Sequence, residues 1–341
     1  MPTSFDPDAA ALADSGIYGL PFTPVDAKVV IIPVPFEATT SYGGGTSRGP
    51  EAVLRASRQV DLFDRETGRP YAAGIAMQDI PKKVKRWNRD AKALAAAVIE
   101  KGGAIDRKTK AAAKEVDAIC DAVNDWVYRQ TLSRLVENKI PVILGGDHSV
   151  PFGAIRAYAD QHPGLGILHL DAHADLRDAF EGFTWSHASI FHNVVTRIPN
   201  AGRIVQVGVR DLGEAEQRMI EQSDGRIVTF FDSDLAERKE RGANWGAIAD
   251  EIVSHLPRDI YLSWDIDGLD PTLCPSTGTP VPGGLSWNEA IGLLRAIHRG
   301  GKRIAGLDLC EVAPGKTEWD ANVAARLLYK MIGFMLMTQA E

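Results

Sequence analysis

Cysteine is scarce in this 341-residue chain, which contains only Cys120, Cys274 and Cys310. Three cysteines so far apart are too few for a disulfide framework and too scattered for a metal site built from thiolates. We therefore expect three reduced, mostly buried thiols. Any metal that this protein binds should be held by nitrogen and oxygen ligands instead.

Long apolar runs and an excess of positive charge are also missing. No apolar stretch approaches the roughly 18 residues that a helix needs to cross a bilayer. The first eight residues lack the basic and apolar segments of a signal peptide. The formal net charge of -7 argues against a nucleic-acid partner, because proteins that bind nucleic acid carry a basic surface. We expect a cytoplasmic protein that binds neither membranes nor nucleic acid.

The composition that remains is that of a soluble globular protein, with 45% hydrophobic and 24% charged residues. A chain of this length can bury a substantial core. No internal repeat, low-complexity linker or block of charge marks a domain boundary. We predict a single domain over residues 28–341, preceded by an N-terminal arm of residues 1–27.

Apolar strands alternate with amphipathic helices along most of the chain. This alternation predicts βαβ units, and hence an α/β fold with a parallel sheet between layers of helices. Helices are predicted over about residues 83–100, 106–137, 287–299 and 320–337. Strands are predicted at residues 28–35, 141–144, 165–170, 203–209, 226–231, 259–264 and 303–309.

A glycine-rich segment at residues 39–50 separates the first predicted strand from a helix that begins near Pro50. The segment has neither of the common phosphate-binding patterns, G-x-G-x-x-G and G-x-x-x-x-G-K-[ST]. We therefore interpret it as a loop that lines a substrate site.

Metal-seeking side chains follow three of the predicted strands. In open α/β sheets, ligands bind beyond the carboxyl ends of the strands. An extended backbone also places every second side chain on one face, so side chains two residues apart can converge. The candidates are His148 after the strand at 141–144; Asp171, His173 and Asp175 after the strand at 165–170; and Asp265 and Asp267 after the strand at 259–264.

These six candidates suit a pair of metal ions. Several carboxylates in one cleft repel one another unless cations neutralise them. Six ligands are too many for one tetrahedral zinc ion with an open position, and they suit two ions bridged by carboxylates. Ligation rich in oxygen and free of thiolate favours Mn²⁺ or another hard to borderline divalent ion. Two such ions would lower the pKa of a water molecule towards roughly 7 and provide hydroxide at neutral pH.

Three motifs, in this order, resemble those of the ureohydrolase family, the arginases, agmatinases and their relatives. They are Gly-Gly-Asp-His-Ser at 145–149, Asp-Ala-His-Ala-Asp at 171–175 and Ser-Trp-Asp-Ile-Asp-Gly-Leu-Asp-Pro at 263–271. The resemblance implies a three-layer αβα arginase-like fold with a mainly parallel, eight-stranded sheet. It also implies a binuclear Mn²⁺ centre in most members, assembly into trimers or hexamers, and hydrolysis of a guanidinium C–N bond with release of urea.

The resemblance also implies roles for residues outside the six ligands. Glu311 matches the carboxylate that holds the substrate guanidinium, a planar cation with several donors. His187 matches the loop histidine that passes protons to the leaving amine. Asp267 or a neighbour would accept the proton of the attacking water. Asp147 is expected to orient a ligand rather than to bind metal.

Departures from the family pattern narrow the expected substrate. Leu176-Arg177-Asp178 follows the second motif, unlike the pattern with which arginases hold an amino-acid head group, so L-arginine is not expected. The arm and the helical segment at 83–125 resemble the branch that hydrolyses guanidine, alkylguanidines and biguanides. Some members of that branch use Ni²⁺ instead of Mn²⁺. We predict a small guanidinium substrate in a pocket closed by the arm and by Trp185 or Phe183.

Three other functions remain open. An agmatinase or a guanidinobutyrase would share the mechanism but act on a longer substrate. A single-zinc deacetylase of the same broad fold shares the Asp-x-His pair, but it does not need His148, Asp175 and Asp267, the ligands of a second ion. A weakly active partner subunit of a hetero-oligomeric hydrolase is disfavoured because all six ligands and Glu311 are present. We expect a homo-oligomer, either a trimer or a hexamer.

Overall fold

A single sheet of eight parallel strands forms the centre of the computed structural model, which describes residues 5–340. The first four residues of the predicted arm and the last residue of the predicted domain lie outside this range. The strands are β1 Val29–Val34, β2 Ile75–Met77, β3 Ile140–Gly145, β4 Leu165–Leu170, β5 Ala201–Val209, β6 Ile227–Phe231, β7 Asp259–Asp265 and β8 Arg303–Cys310. Their order across the sheet is β2-β1-β3-β8-β7-β4-β5-β6.

Helices cover both faces of this sheet. They are α1 Gly49–Ser57, α2 Lys82–Ile99, α3 Arg107–Val136, α4 Phe152–Gln161, α5 Ile190–Arg197, α6 Glu214–Glu221, α7 Asp232–Glu240, α8 Trp245–Ser254, α9 Trp287–Arg299 and α10 Trp319–Gln339. Helices α1, α8, α9 and α10 share one hydrophobic core with the sheet, and α2 to α5 share another. Within residues 5–340, no helix is both long enough and apolar enough to cross a membrane.

Alternate residues of the strands face the two cores. In β4, Leu168 belongs to the core under α8 to α10 and its neighbour Ile167 belongs to the core under α2 to α5. Burial on both faces explains why the strands are continuous apolar runs. The resulting three αβα layers confirm the fold class that the sequence predicts.

Seven of the eight strands lie where their apolar runs predict them, with ends shifted by at most two residues. The strand that sequence reasoning did not locate is β2, which has only three residues and pairs with β1 at the edge of the sheet. A run this short shows no periodicity, so composition alone cannot separate it from a loop.

The two helices predicted after residue 80 form the α2–α3 hairpin. Gly102 and Gly103 in its turn have φ angles of 70° and 130°, a region that favours glycine. Helix α3 begins with a capping box: the Asp106 carboxylate accepts from the Thr109 N–H at 2.8 Å, and the Thr109 hydroxyl oxygen accepts from the Asp106 N–H at 3.0 Å. The hairpin packs on the sheet face opposite to α1 and α10.

The described part of the arm packs on α1 and α10. Tyr18, in a short 3₁₀ turn over Ile17–Gly19, donates its backbone N–H to Ser57 Oγ at 2.9 Å, and its hydroxyl donates to the Ala325 carbonyl at 3.1 Å. Its ring lies 4.8 Å from that of Tyr329. These buried contacts fix residues 15–20 on the outside of the helical layer.

Four neighbouring strands at the centre of the sheet carry the predicted site residues. β3, β8, β7 and β4 are adjacent and parallel, so their carboxyl ends meet at one edge. The six predicted metal ligands and Glu311 lie at these four ends or within a few positions after them. Strands distant in the sequence therefore deliver their polar ends to one cleft, as in other open α/β sheets.

Candidate metal centre

The six predicted metal ligands come together at this edge, in two groups that share Asp171. In the first group, His148 Nδ1 lies 2.9 Å from Asp171 Oδ2, 3.2 Å from Asp175 Oδ2 and 3.5 Å from Asp265 Oδ2. All four side chains are buried. Three carboxylate oxygens therefore lie within 3.5 Å of one imidazole nitrogen.

The second group contains His173 and Asp267. His173 Nδ1 lies 3.1 Å from Asp267 Oδ2 and 3.3 Å from Asp171 Oδ1. The two oxygens of Asp171 therefore face different groups, which is the arrangement of a carboxylate that bridges two ions. The Asp267 carboxylate also accepts from the Ala172 N–H at 3.0 Å, which fixes its orientation.

The site gathers four buried carboxylates, whose negative charges are stabilised by nearby cations. Within residues 5–340, no lysine or arginine forms an ion pair with Asp171, Asp175, Asp265 or Asp267. Burial and neighbouring carboxylates raise the pKa of Asp265 well above its usual range and that of Asp175 to about 7. Two histidines and four carboxylates without thiolate are the donor set that hard to borderline divalent ions prefer. The residues present therefore fit two such ions.

Two positions in the site adopt a left-handed backbone. Asp175 and Glu311 have φ angles of 54° and 61°, which cost non-glycine residues about 1–3 kcal/mol. Hydrogen bonds hold this conformation: the Asp175 carbonyl accepts from the Phe191 N–H at 3.0 Å, and the Glu311 N–H donates to the Gly146 carbonyl at 2.8 Å. Strain of this kind is concentrated at functional sites.

The second nitrogen of His148 is engaged by the protein. His148 Nε2 lies 3.0 Å from Ser263 Oγ and 3.9 Å from Asp308 Oδ1, both of them fully buried. Burial raises the pKa of Asp308 to about 6. Because Nε2 is engaged in this way, Nδ1 is the nitrogen left for a metal.

His169 is a site residue that sequence reasoning missed. Its Nε2 lies 2.8 Å from Asp171 Oδ2, and its Nδ1 accepts from Gln206 Nε2 at 3.0 Å. Gln206 also donates to the Ala174 carbonyl at 2.7 Å, and its own oxygen accepts from the Thr229 hydroxyl at 2.9 Å. Gln206 therefore places the imidazole proton on Nε2, where it is donated to Asp171.

A signal for His169 was present in the sequence. It is the one ionisable residue in the apolar strand β4, and it lies two positions before Asp171, on the same face. Burial lowers the pKa of His169 to about 4, so the ring is neutral at neutral pH. A neutral histidine can hold the Asp171 carboxylate without adding charge to the site.

A cavity of about 220 Å³ adjoins the two groups. Glu311 lines this cavity and is buried. Its carboxylate accepts from the backbone N–H of His148 at 3.1 Å. Burial and the nearby Asp147 raise the pKa of Glu311 well above its usual range. An ionised Glu311 therefore needs a cationic partner from the cavity.

His187 also lines the cavity, on a loop between β4 and α5. Its Nδ1 lies 3.4 Å from both Thr39 Oγ1 and Ser186 Oγ. Desolvation lowers the pKa of His187 to about 4, so its imidazole is neutral at neutral pH. The ring of Phe180 stands edge-on to it at 6.0 Å and forms part of the same wall.

The structure does not bring Trp185, Phe183 or the described part of the arm to this cavity. The Trp185 ring packs edge-on against Phe152, with the ring centroids 4.8 Å apart, and the Arg197 guanidinium carbon lies 4.9 Å from the centroid of the Trp185 ring. Phe183 is fully buried in the core. Phe180, together with Tyr42 of the glycine-rich segment, lines the cavity in their place.

Asp147 does not join either group of ligands. Its carboxylate accepts from the Ser149 N–H at 3.1 Å and the Ser149 hydroxyl at 2.5 Å. These bonds hold the turn that carries His148. The neighbouring Gly146 admits no side chain, because a Cβ there would lie 1.9 Å from the Phe36 carbonyl oxygen.

The sequence is similar to known proteins over most of its length. The model of the arginase family matches residues 27–333. An N(1)-aminopropylagmatine ureohydrolase from Thermus thermophilus is 34% identical over 310 residues, which cover 90% of each chain. An agmatinase from Proteus mirabilis is 32% identical over 316 residues, which cover 89% of this chain and 87% of the relative.

The fold is also that of a solved structure. The proclavaminate amidinohydrolase from Streptomyces clavuligerus superposes with a TM-score of 0.73 at 22% sequence identity, and the match covers 97% of this chain and 99% of the other. At this level of identity the likeness concerns the fold. The family match and the two relatives show that the likeness is also one of sequence.

Proposed function

The chain belongs to the arginase family and is a hydrolase of C–N bonds in linear amidines, and on that premise we propose that its substrate is a small guanidine compound. The class comprises guanidine, alkylguanidines and biguanides. Water would cleave one guanidinium C–N bond to give urea or a urea derivative, with ammonia or an amine. The observation that carries this proposal is the cavity volume of about 220 Å³, below the usual range of ligand pockets.

The walls of the cavity support a short substrate. Tyr42 and Phe180 contribute aromatic surface, and the rest of the lining is mostly polar. Aromatic rings suit the delocalised guanidinium plane and small alkyl groups attached to it. A long flexible tail would have to leave the cavity past these rings.

Glu311 is proposed to bind the guanidinium. A carboxylate and a guanidinium form paired, charge-assisted hydrogen bonds. Glu311 has one hydrogen bond from the His148 N–H in the part of the chain that the structure describes, so further acceptor capacity faces the cavity. Because its pKa is raised by burial, a cationic substrate would stabilise its ionised form.

The metal centre is proposed to hold two divalent ions, either Mn²⁺ or Ni²⁺. One would be bound by the first group of ligands and the other by the second, with Asp171 between them. When bound, such a pair lowers the pKa of water and so supplies a nucleophile at neutral pH.

Protons are proposed to move through Asp267 and His187. The Asp267 carboxylate lies in the second group of ligands, 3.1 Å from His173 Nδ1, where it or a neighbouring carboxylate would accept a proton of the attacking water. His187 is neutral and lines the cavity, so its imidazole would first accept a proton that comes from the attacking water and then pass it to the departing nitrogen. The nitrogen leaves as ammonia or an amine while the carbon keeps the oxygen from water.

The rim of the cavity favours a second candidate, an agmatinase or guanidinobutyrase. Asp211 is an exposed carboxylate on this rim, where it could pair with the amino group of agmatine. Arg177, also on the rim, could pair with the carboxylate of 4-guanidinobutanoate, although it already lies 3.5 Å from Glu216. The relatives from Thermus thermophilus and Proteus mirabilis are named for N(1)-aminopropylagmatine and for agmatine.

The test is turnover by purified protein loaded separately with Mn²⁺ and Ni²⁺. The substrates are guanidine, methylguanidine, metformin, agmatine and 4-guanidinobutanoate, with urea and released amine measured for each. Turnover of the short compounds would support the proposal. Efficient turnover of agmatine or 4-guanidinobutanoate, with none of guanidine, would overturn it.

Two rim variants separate the candidates. In an agmatinase, Asp211→Asn should raise the KM for agmatine, and in a guanidinobutyrase Arg177→Gln should raise the KM for 4-guanidinobutanoate. In an enzyme for small guanidines, neither variant should change the KM for guanidine by more than about twofold, because exposed charges contribute little.

We also propose that the enzyme is a cytoplasmic homo-oligomer, a trimer or a hexamer, with residues 28–341 as one catalytic domain and residues 1–27 as an arm. The family match from residue 27 onwards supports this division. Light scattering of the purified protein gives the mass of the assembly, and its subunit number follows from the chain mass of 37.0 kDa.

A further inference from the structure

The loop that carries His187 is bound along its length by a distant part of the chain. We define residues 178–188 as the His187 loop. It contains one short antiparallel bridge, in which Phe180 and Phe183 exchange backbone hydrogen bonds of 3.1 and 2.9 Å. Glu181 at its tip has a left-handed φ of 52°. With so little internal structure, the position of the His187 loop depends on contacts with other elements.

Helix α3 supplies one of these contacts through a half-buried carboxylate. Asp117 Oδ2 accepts from the Thr184 N–H and Oδ1 accepts from the Trp185 N–H, both at 3.2 Å. Each oxygen therefore satisfies one of two successive backbone amides. Burial raises the pKa of Asp117 despite these bonds. Two successive amides on one carboxylate fix the chain direction just before His187.

The turn of the α2–α3 hairpin supplies a second contact. The Ala104 N–H donates to the Glu181 carbonyl at 3.0 Å. A Cβ on Gly182 would lie 2.4 Å from Ala104 Cβ, so the two backbones are closely packed. The hairpin thus holds the His187 loop at its tip and again near its end.

Helix α5 supplies a third contact, on the side of the loop opposite to Asp117. Asn193 of α5 donates through Nδ2 to the Thr184 carbonyl at 2.8 Å. The N–H groups of residues 184 and 185 face Asp117 while this carbonyl faces α5. The segment before His187 is therefore bonded on both sides.

We propose that Asp117 is a positioning residue, and that the α2–α3 hairpin braces the His187 loop so that the imidazole meets the substrate at a fixed place. This inference rests on the proposed role of His187 as a proton carrier. The direct contacts of His187 Nδ1 are long, at 3.4 Å, and do not hold the ring by themselves. A displacement of about 1 Å can cost up to 100-fold in rate, so a brace at the neighbouring residues matters to catalysis.

The experiment compares Asp117→Asn and Asp117→Ala with Asp121→Asn in metal-loaded protein. Asp121 lies one turn further along α3 and is exposed, so it is a matched control on the same helix. Asparagine keeps one acceptor oxygen and turns an NH₂ group towards the other amide. Alanine removes both acceptors, so a graded effect is expected.

The first measurement is hydrogen–deuterium exchange of the backbone amides at 184–189. We expect faster exchange in Asp117→Asn and fastest in Asp117→Ala, with Asp121→Asn like the unmodified protein. Unchanged exchange in Asp117→Ala would overturn the inference. So would faster exchange confined to residues 184 and 185, because His187 would then not depend on the brace.

The second measurement is the division between kcat and KM for the substrate identified above. We expect kcat to fall about 10- to 100-fold in Asp117→Ala, with KM and metal content within twofold, since Glu311 and the metal ligands are untouched. Faster exchange with an unchanged kcat would overturn the inference. If the unmodified protein hydrolyses no guanidine compound, the proposed function fails, while exchange at 186–189 still decides whether Asp117 holds the loop.

Discussion

Asp171 is the residue on which both groups of metal ligands depend. Its Oδ2 faces His148 and its Oδ1 faces His173. His169 Nε2 also contacts Oδ2 and holds the carboxylate in place. Asparagine has nearly the same shape as aspartate, but it replaces one acceptor oxygen with a donor nitrogen. Substitution of Asp171 by asparagine therefore tests whether Asp171 bridges the two ions, with little change in packing.

We expect Asp171→Asn to lower bound metal from two ions to one or none per chain and to reduce turnover at least about 100-fold, because the centre loses the ligand that both ions share. Elemental analysis after desalting measures the metal. Asp178→Asn is the control, since Asp178 is exposed on the following loop. Retention of two ions by Asp171→Asn would show that Asp171 does not bridge them.

His169 should matter through the hydrogen bond that it donates to Asp171. In His169→Phe we expect metal affinity to fall about 10- to 100-fold, the usual cost of losing a residue that orients a ligand. His169→Gln keeps a donor and should recover part of the loss. Competition with a chelator measures the affinity. A loss in His169→Phe no larger than that in His169→Gln would contradict this role, and a smaller loss would mean that His169 acts through the packing of its ring against Phe191, whose centroid is 3.9 Å away.

At the scale of elements, the glycine-rich segment at 39–50 is held by one buried carboxylate. Glu37 Oε2 accepts from the N–H groups of Gly45 at 2.6 Å and Ser47 at 3.1 Å, and Oε1 accepts from Lys92 of α2 at 2.7 Å. A loop with three successive glycines has many alternative conformations. The bonds to Glu37 select the one in which Tyr42 lines the cavity.

Glu37→Gln should destabilise the protein in a pH-dependent way. Burial alone would raise the pKa of Glu37, but its bonds to Lys92 and the loop amides outweigh burial and lower the pKa below 4.5. A lowered folded-state pKa means that the stabilisation is present above the unfolded-state pKa and is lost as pH falls through the folded-state pKa.

We therefore expect Glu37→Gln to lower the free energy of unfolding by about 1.5–3 kcal/mol at pH 7, with the difference narrowing in acid as the native glutamate becomes protonated. Urea unfolding at pH 7 and at a series of pH values that continues below pH 4 measures how the difference changes. Glu51→Gln is the matched control, because Glu51 forms an exposed, 3.6 Å pair with Lys85. A difference that is independent of pH would show that the charge of Glu37 contributes nothing.

At the scale of the whole molecule, folding gathers acids from four strands at one edge of the sheet. Cations that bind only this folded arrangement stabilise it by mass action, by about 4 kcal/mol when the free ion is at 1,000 times its Kd. Removing metal with a chelator should therefore lower the Tm by several degrees, and adding Mn²⁺ or Ni²⁺ should restore it.

Calorimetry with and without the chelator measures this shift, and Asp171→Asn is the control because it should respond less. An unchanged Tm in the unmodified protein would mean that the acids are accommodated without metal, by protonation. The raised pKa values of Asp175 and Asp265 make that the competing outcome.

Local pattern was enough to predict the architecture. Continuous apolar runs and amphipathic helices are readable over short windows, because burial on both faces of a strand, or on one face of a helix, leaves its period in the sequence. Metal-seeking side chains at alternate positions after a strand, as in Asp171, His173 and Asp175, are equally local. Among the eight strands in residues 5–340, β2 was the one not predicted, since three residues carry no period.

The sequence by itself therefore determined the layers, the strands and the set of polar side chains that end them. The tertiary structure alone decided which of these side chains meet. It makes Asp171 common to the two groups of ligands, supported by His169 and Gln206. It also places Phe180 rather than Trp185 in the cavity wall and bonds Asp117 to the loop of His187. The physical reason is separation along the chain. Contacts between residues tens of positions apart depend on strand order and loop path, which leave no repeating pattern in the sequence.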